Sequence, residues 1–340
     1  MRGGRALSSA LLAFSTLAFH ASAADIAARI TARPLAGFSA SDPSRVRFGR
    51  LDYVGGFEVR ADRREVGGLS GLAIGDGGRR FLALSDDGLM VKAQVERDSR
   101  GRPIGLSSAS IRRLRTTKGT LSRAKSTSDT ESLDVYPGDR GRPFGVVSFE
   151  GRPMVMVGPM DDDGFVGPLS AIDLPKDTRQ LQVNRGLESV AALPAGNGLG
   201  GRFVILAEAA ERGAKTDNPP GWVVGGKAPY AFRVRRDDGY DLTDAKVGPD
   251  GRLYVLERSF SFLAGVRCRI RVFSLSDIRA GAVIDGDTLL EASMSEEIDN
   301  MEGLAIWRTA GGETRISLIS DDNRAFLQRT LYLEFRLAAP

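Results

Sequence analysis

Histidine and cysteine are almost missing from this sequence of 340 residues. The one histidine is His20 and the one cysteine is Cys268. A lone cysteine forms no internal disulfide and provides no cysteine-based zinc site. If residues 1–23 are removed, as argued next, the mature chain contains no histidine, which excludes Ser-His-Asp and Cys-His catalytic pairs. Any catalysis would then use carboxylates, Lys, Arg, Tyr, water or a metal held by oxygen ligands.

The N-terminal segment has the pattern of a secretory signal peptide. Two arginines precede an apolar run, and Ala21-Ser22-Ala23 has the small residues of a cleavage site. The run is shorter than the ~20 residues that a membrane-spanning helix needs, so we expect a periplasmic or secreted protein without stable membrane insertion. This divides the chain into a signal peptide, a leader and a folded domain: residues 1–23, 24–47 and 48–340.

Neither sign of charge dominates the chain. Its formal net charge is +4, and removal of Arg2 and Arg5 with the signal peptide would lower it to +2. The composition, 42% hydrophobic and 26% charged, is that of an ordinary folded protein. Nucleic-acid binding is therefore not expected. The sequence also has no P-loop, no dinucleotide-binding fingerprint and no Gly-x-Ser-x-Gly nucleophile motif.

Internal repeats are the strongest signal in the sequence. Each repeat has a short apolar strand that opens with a polar or acidic residue, then a turn, then a second apolar strand that ends in an acid. The strand openings recur at intervals of 55 to 61 residues: Ser70, Glu131, Glu188, Thr243 and Glu302. Further apolar segments fill each interval and provide additional strands.

This pattern predicts an all-β fold, specifically a β-propeller, because short strands in blocks of about four, separated by Gly and Pro turns, are typical of propeller blades. The repeat length favours five blades, with six as the alternative. Residues 50–59 and 331–337 are expected to pair within one blade and so to close the ring. We expect a monomer.

Acidic residues recur once per repeat and should converge, since equivalent positions of successive blades surround one axis. Clustered carboxylates repel one another unless a cation lies among them. Calcium fits best, because it prefers oxygen ligands and needs no histidine. The predicted ligands are the strand-opening and strand-end acids: Asp86, Glu131, Glu188, Glu208, Glu257, Glu302 and Asp321. A purely structural role for these acids at the blade junctions is the alternative.

The catalytic prediction centres on Glu131, Glu188 and Glu302, whose strand openings should lie nearest the axis, together with Arg258. Arg258, with Arg324 as a further candidate, would neutralise carboxylates or grip a substrate phosphate with its planar fork. Water activated by the metal would attack, with a glutamate as base.

These motifs resemble a known bacterial family, the phytase-like domain called esterase-like activity of phytase. The resemblance covers nearly all of the chain from residue 48 onward and implies a propeller-type fold and phosphoesterase or phosphodiesterase activity on a small anionic ester. The cations next to the motifs are few and mostly arginine, which argues against phytate itself. The segments that carry the resemblance are Asp129-Thr-Glu131-Ser-Leu133, Gly186-Leu-Glu188-Ser-Val190, Leu242-Thr-Asp244, Leu256-Glu-Arg258-Ser-Phe260 and Asn300-Met-Glu302-Gly-Leu304.

Two other functions remain open at this point. One is a calcium-dependent propeller hydrolase of another kind, such as a lactonase, which also needs no histidine. The other is a non-catalytic envelope protein whose acids are structural and whose face binds a partner. The fold alone does not decide among the three.

Overall fold

A computed structural model describes residues 25–121, 128–138, 141–194 and 201–338 of the chain. The predicted signal peptide lies outside the described residues. Within them, the secondary structure consists of β-strands and short 3-10 helices. Four such helices are Arg64–Val66, Asp76–Gly78, Lys176–Gln180 and Leu275–Asp277. No helix in these ranges is long and apolar enough to cross a membrane.

The first strands of the described chain join two different sheets. They are β1 (Ile26–Ala27), β2 (Ile30–Pro34), β3 (Arg47–Phe48) and β4 (Leu51–Ala61). Blade one then comprises β5 (Leu69–Gly75), β6 (Arg80–Ser85), β7 (Leu89–Arg97) and β8 (Pro103–Arg113), with β1 on its outer edge. A small hairpin of β9 (Arg115–Thr116) and β10 (Gly119–Thr120) follows.

Blades two and three repeat the antiparallel order. Blade two contains β11 (Thr130–Pro137), β12 (Pro143–Phe149), β13 (Met154–Asp161), β14 (Gly164–Phe165) and β15 (Ser170–Ala171). Blade three contains β16 (Leu187–Ala192), β17 (Phe203–Ala207), β18 (Pro220–Val224) and β19 (Tyr230–Val234). In both blades the second strand turns back beside the first, so the start of the first strand and the end of the second lie at the same end of the blade.

Blades four and five complete the ring. Blade four contains β20 (Asp241–Val247), β21 (Arg252–Ser261), β22 (Gly265–Ser274) and β24 (Asp287–Ala292), while β23 (Val283–Ile284) joins the outer edge of blade three. Blade five contains β25 (Asn300–Arg308), β26 (Thr314–Asp321) and β27 (Thr330–Leu337). The five-bladed propeller predicted from the repeats is confirmed.

Strand pairing between the two ends of the chain closes the propeller. The C-terminal strand β27 pairs antiparallel with β4, and β2 adds to the outer side of β4. Thr330 is paired with Val59 at one end of this ladder and Leu337 with Leu51 at the other. The predicted pairing of terminal strands is thus confirmed, and blade five is built from both ends of the described chain.

The hydrophobic core is divided into five clusters, one between each pair of neighbouring blades. Phe57 and Trp307, for example, lie between blades five and one, and Trp222 lies between blades two and three. The first strand of each blade is innermost and packs against the first strands of its neighbours. Gly71 permits this approach, because a Cβ there would lie 2.8 Å from the backbone nitrogen of Leu133 in the next blade. The innermost strands therefore form a tight ring around the axis.

Candidate functional site

A β-bulge occurs at the same place in the first strand of every blade. In blade two, Thr130 pairs with Phe149 and Ser132 pairs with Ser148, so Glu131 is the extra residue. Bulges redirect side chains and are frequent beside functional sites. The register shift leaves the predicted strand-opening residue as the extra one in all five blades: Ser70, Glu131, Glu188, Thr243 and Glu302.

A second set of equivalent positions follows from the same register. In each blade, the residue that precedes the bulge pairs with a residue of the second strand. The residue that follows this partner in sequence also lies at the bulge end of the blade. In blade three, Leu187 pairs with Ala207, and Glu208 comes next. The five equivalent residues are Asp86, Glu150, Glu208, Arg258 and Asp321. Four blades therefore contribute an acid here and blade four contributes a guanidinium.

Glu257, which the sequence suggested as the fifth acid of this set, does not join it. Leu242 pairs with Glu257, so the equivalent of Glu208 is Arg258. The Glu257 carboxylate is fully buried within blade four, where it accepts hydrogen bonds from Arg269 Nε at 2.6 Å and Arg271 Nε at 2.8 Å. Because successive side chains of a strand point to opposite faces, an offset of one residue places this acid on the wrong side.

Two overlapping groups of carboxylates lie at the bulge end of the propeller. Within each group, one carboxylate oxygen from each of three residues lies within 4.8 Å of the other two, and Glu150 belongs to both groups. Gly186 also donates its backbone N–H to Glu150 Oε1 at 3.0 Å. We call their five members the carboxylate cluster: Asp129, Glu131, Glu150, Glu188 and Glu208.

Burial and mutual repulsion make the carboxyls of Glu131 and Glu188 hard to ionise. Burial is the main reason that the pKa of Glu131 is raised well above its usual value, and the charges of Asp86 and Asp129 add to it. Burial likewise raises the pKa of Glu188 well above normal, with the charges of Glu131 and Glu208 next in importance. Such shifts, produced by desolvation and like charges, are typical of sites that hold a proton or a cation.

Arg258 connects the carboxylate cluster with blade five. Its guanidinium lies 3.4 Å from Glu208 Oε1 and 3.3 Å from Glu302 Oε1. Burial disfavours the charged form of Arg258 and so acts to lower its pKa. The negative charges of Glu302, Glu188 and Glu208 outweigh this effect, and the pKa is raised. Asn300 adds a hydrogen bond of 2.9 Å from Nδ2 to Glu302 Oε1. The Arg258 side chain as a whole is one third exposed, so it contacts the acids and also reaches solvent.

The acids of blade five lie on the far side of Arg258. Burial raises the pKa of Glu302 to about 7, although Arg258 acts in the opposite direction. Burial and then the charge of Asp86 raise the pKa of Asp321 to about 8. Asp86 also contributes to the raised pKa of Glu131, so the three acids are electrostatic neighbours of the carboxylate cluster.

A cavity of about 820 Å³ opens beside Arg258 between blades three, four and five. Glu208 and Asn300 line it where it meets the acids, and three more arginines lie in its wall: Arg185, Arg236 and Arg329. Arg185 Nε lies 3.4 Å from Glu208 Oε2. We call this space the arginine pocket. It gives a ligand access to Arg258 and Glu208 from solvent.

Six of the seven predicted metal ligands, all but Glu257, lie at the bulge end of the propeller. Glu131, Glu188 and Glu208 belong to the carboxylate cluster. Asp86 and Glu302 are electrostatic neighbours of its members, and Asp321 is a neighbour of both. Arg324 lies further out, where its Nη2 is 2.7 Å from Asp87 Oδ2. The ligand prediction from sequence did not include Asp129 and Glu150. Glu150 was visible as a strand-end acid. Asp129 lies two residues before the bulged residue Glu131. Asp241 and Asn300 occupy the same position in blades four and five, and this equivalence becomes visible only when the strand register is known.

Comparison with known proteins gives a family. Solved structures that resemble the chain include an endo-arabinase from Bacteroides thetaiotaomicron VPI-5482, with 12% identity, 78% of this chain and 93% of that chain covered, and a TM-score of 0.44. An α-L-arabinofuranosidase from Podospora anserina shows 10% identity, coverage of 85% and 97%, and a TM-score of 0.46. No curated protein sequence matches the chain. Residues 64–324 match the family described as Phytase-like: Esterase-like activity of phytase, and the chain belongs to that family.

Proposed function

We propose that the protein is an exported, calcium-dependent hydrolase of small phosphate esters. The observation that carries this proposal is the convergence of carboxylates from successive blades on Arg258, beside a solvent-accessible pocket rich in arginine. Carboxylates suit a metal, and guanidinium groups suit a phosphate. Membership of the phytase-like family supports the same chemistry.

The residues present fit calcium. The carboxylate cluster supplies hard oxygen donors, and Gly186 N–H orients one of them. Calcium takes six to eight oxygen ligands at flexible geometry, whereas zinc and copper sites normally include histidine or cysteine. Cys268 is fully buried between blades four and five, away from the cluster. Glu131, Glu150, Glu188 and Glu208 would hold the ion, with Asp129 at the edge.

Calcium, when bound, would supply positive charge that stabilises a phosphoryl group and favours loss of a proton from water. The chain's own residues do the rest. Arg258 reaches the arginine pocket and would hold phosphate oxygens with its two Nη groups. Glu302 lies next to Arg258 and would accept the proton from attacking water. Glu131 and Glu188 position the ion, and Asp86 and Asp321 add negative charge behind it.

Calorimetry and an ester assay on the same samples test this proposal. Calcium should raise the melting temperature of the full mature chain and a chelator should lower it, while turnover of 4-nitrophenyl phosphate should need calcium. Glu131→Gln should strongly reduce both effects at the same calcium concentration. Glu65→Gln is the matched control, because Glu65 is exposed and lies in a 3-10 helix outside the cluster.

Two results would overturn the proposal. Hydrolysis of lactones without hydrolysis of any phosphate mono- or diester would indicate the lactonase-type alternative. Absence of both a calcium shift and turnover would indicate that the acids are structural and that this end of the propeller binds a partner.

A further inference from the structure

The most exposed apolar side chains all occur at one end of the propeller. Seven described residues are between 63% and 101% exposed, while the next, Val166, is 55% exposed. Large apolar residues at such exposure usually mark a binding surface when they cluster. The seven are Val183, Phe260, Phe262, Leu263, Met294, Phe326 and Leu327.

These residues lie at the bulge end because of the strand directions. Phe260 lies two residues after Arg258 in β21, and Phe262 and Leu263 lie in the turn between β21 and β22. Phe326 and Leu327 belong to the connection between β26 and β27, which begins just after Asp321. These apolar side chains therefore lie at the same end of the propeller as the acids of the site.

Three of the seven form one wall of the arginine pocket. Phe260, Met294 and Leu327 line it together with Val266 and Ile298. The charged part of the lining consists of four arginines, Arg185, Arg236, Arg258 and Arg329, and the carboxylates of Glu208, Asp241 and Asp299. The pocket thus offers both charged and apolar surface to a ligand. A purely polar ligand would not need the apolar side chains.

We propose that the arginine pocket binds a phosphate ester whose alcohol group is apolar, such as an aryl or alkyl group. The phosphate contacts Arg258 and its neighbours, and the apolar group covers Phe260, Met294 and Leu327. Removing these side chains and the ligand's own apolar group from water stabilises the complex. The orientation of the ligand rests on the proposed function, which places the phosphate end beside Arg258 and the carboxylate cluster.

A concave arrangement favours this ligand over a lipid surface or a protein partner. The apolar wall and the guanidinium groups line the same cavity of about 820 Å³, which suits a small molecule. A polyanion such as an inositol polyphosphate offers nothing apolar to this wall. Phe262 and Leu263 lie outside the lining of the pocket and provide a comparison on the same hairpin.

Binding of two phosphonates, measured by titration calorimetry with calcium present, tests the inference without turnover. Phenylphosphonate should bind the full mature chain about tenfold more tightly than methylphosphonate. The variant Phe260→Ser with Leu327→Ser should reduce that ratio to about one and leave methylphosphonate affinity unchanged. Phe262→Ser should keep the ratio, as should Val166→Ser. All four residues are exposed, so folding should be unaffected.

The outcomes separate this inference from the proposed function. Equal affinities in the unmodified protein, or an unchanged ratio in the Phe260 and Leu327 variant, would overturn the inference even if phosphate esters are hydrolysed. Loss of the ratio in Phe262→Ser would also overturn it and would indicate a broad apolar surface, as expected for docking on lipid. A tenfold preference without any ester turnover would support the pocket and reject the hydrolase.

Discussion

Ser132 of blade two donates a hydrogen bond of 2.6 Å to Asp244 Oδ1 of blade four, across the axis of the propeller. Lys246 Nζ lies 2.5 Å from the same oxygen, and the backbone N–H of Leu304 in blade five donates to Asp244 Oδ2 at 2.8 Å. Ser132 and Asp244 are fully buried and Lys246 is nearly so. One polar group thus ties three blades together through their innermost strands.

The first prediction concerns this axial group. Lys246→Met leaves the buried Asp244 without its cation, so the free energy of unfolding should fall by about 3–5 kcal/mol. Ser132→Ala removes the hydrogen bond donated to Asp244 and the one accepted from Lys246 Nζ, and should cost about 1–3 kcal/mol. Urea unfolding monitored by fluorescence measures both. The double variant Asp244→Asn with Lys246→Met should recover most of the loss, and an equally unstable double variant would argue against the ion pair as the cause.

The second prediction concerns pH in the absence of metal. The pKa values of Glu302 and Asp321 are raised to about 7 and about 8, so above pH ~4 the folded protein retains protons that the unfolded chain has lost. The free energy of unfolding should therefore fall as pH rises from about 5 to 8, by at most about 1.4 kcal/mol per pH unit for each retained proton.

Chemical denaturation in chelator at several pH values measures this slope. Saturating calcium should reduce it, because the positive charge of an ion held by the neighbouring carboxylate cluster would lower the pKa values of both acids. Glu302→Gln with Asp321→Asn should reduce it without calcium. A stability that rises with pH over this interval would contradict the assignment of raised pKa values.

The third prediction separates Glu257 from the carboxylate cluster. Glu257→Gln weakens the buried contacts to Arg269 and Arg271, and we expect a loss of about 2–4 kcal/mol in the free energy of unfolding. Calcium affinity, measured by titration calorimetry below the melting temperature, should change less than about twofold, since the carboxylate lies outside the cluster. A large loss of calcium affinity in a folded Glu257→Gln variant would show that the register argument is wrong.

The fourth prediction is the converse for Glu131. Burial and neighbouring acids raise the pKa of this carboxyl, so its charge destabilises the metal-free protein. Glu131→Gln should raise the melting temperature in chelator and lower calcium affinity at least about tenfold. Differential scanning calorimetry with and without calcium gives both values. A variant that is less stable than the original in chelator would favour a structural role for Glu131.

The fifth prediction concerns Arg258. Arg258→Lys keeps a positive charge near Glu208 and Glu302 but loses the planar fork. We expect kcat/KM for a phosphate ester to fall at least about tenfold, with calcium affinity nearly unchanged. The matched control is Arg236→Lys. Arg236 lines the same pocket, but its Nη2 donates a hydrogen bond of 2.8 Å to Asp241 Oδ1, so this variant should lower kcat/KM much less. Similar losses in both variants would place the phosphate elsewhere in the pocket.

The sequence alone determined the class of fold and the approximate location of the site. A repeat of 55 to 61 residues, with two short apolar strands in each unit, is enough to predict five blades, because each unit must bury its faces against the next. The same repeat predicts that Glu131, Glu188 and Glu302 converge, since equivalent positions surround one axis. The signal peptide and calcium binding remain predictions.

Only the tertiary structure decided which side chains reach the site. Successive side chains of a strand point to opposite faces of the sheet, so an offset of one residue decides which side chain reaches the site. In blade four that side chain is the guanidinium of Arg258 and not the carboxylate of Glu257. Apolar patterning does not show where a bulge lies. The roles of Asp129 and of the contact between Ser132 and Asp244 depend on register and on distances between blades, which a linear sequence does not contain.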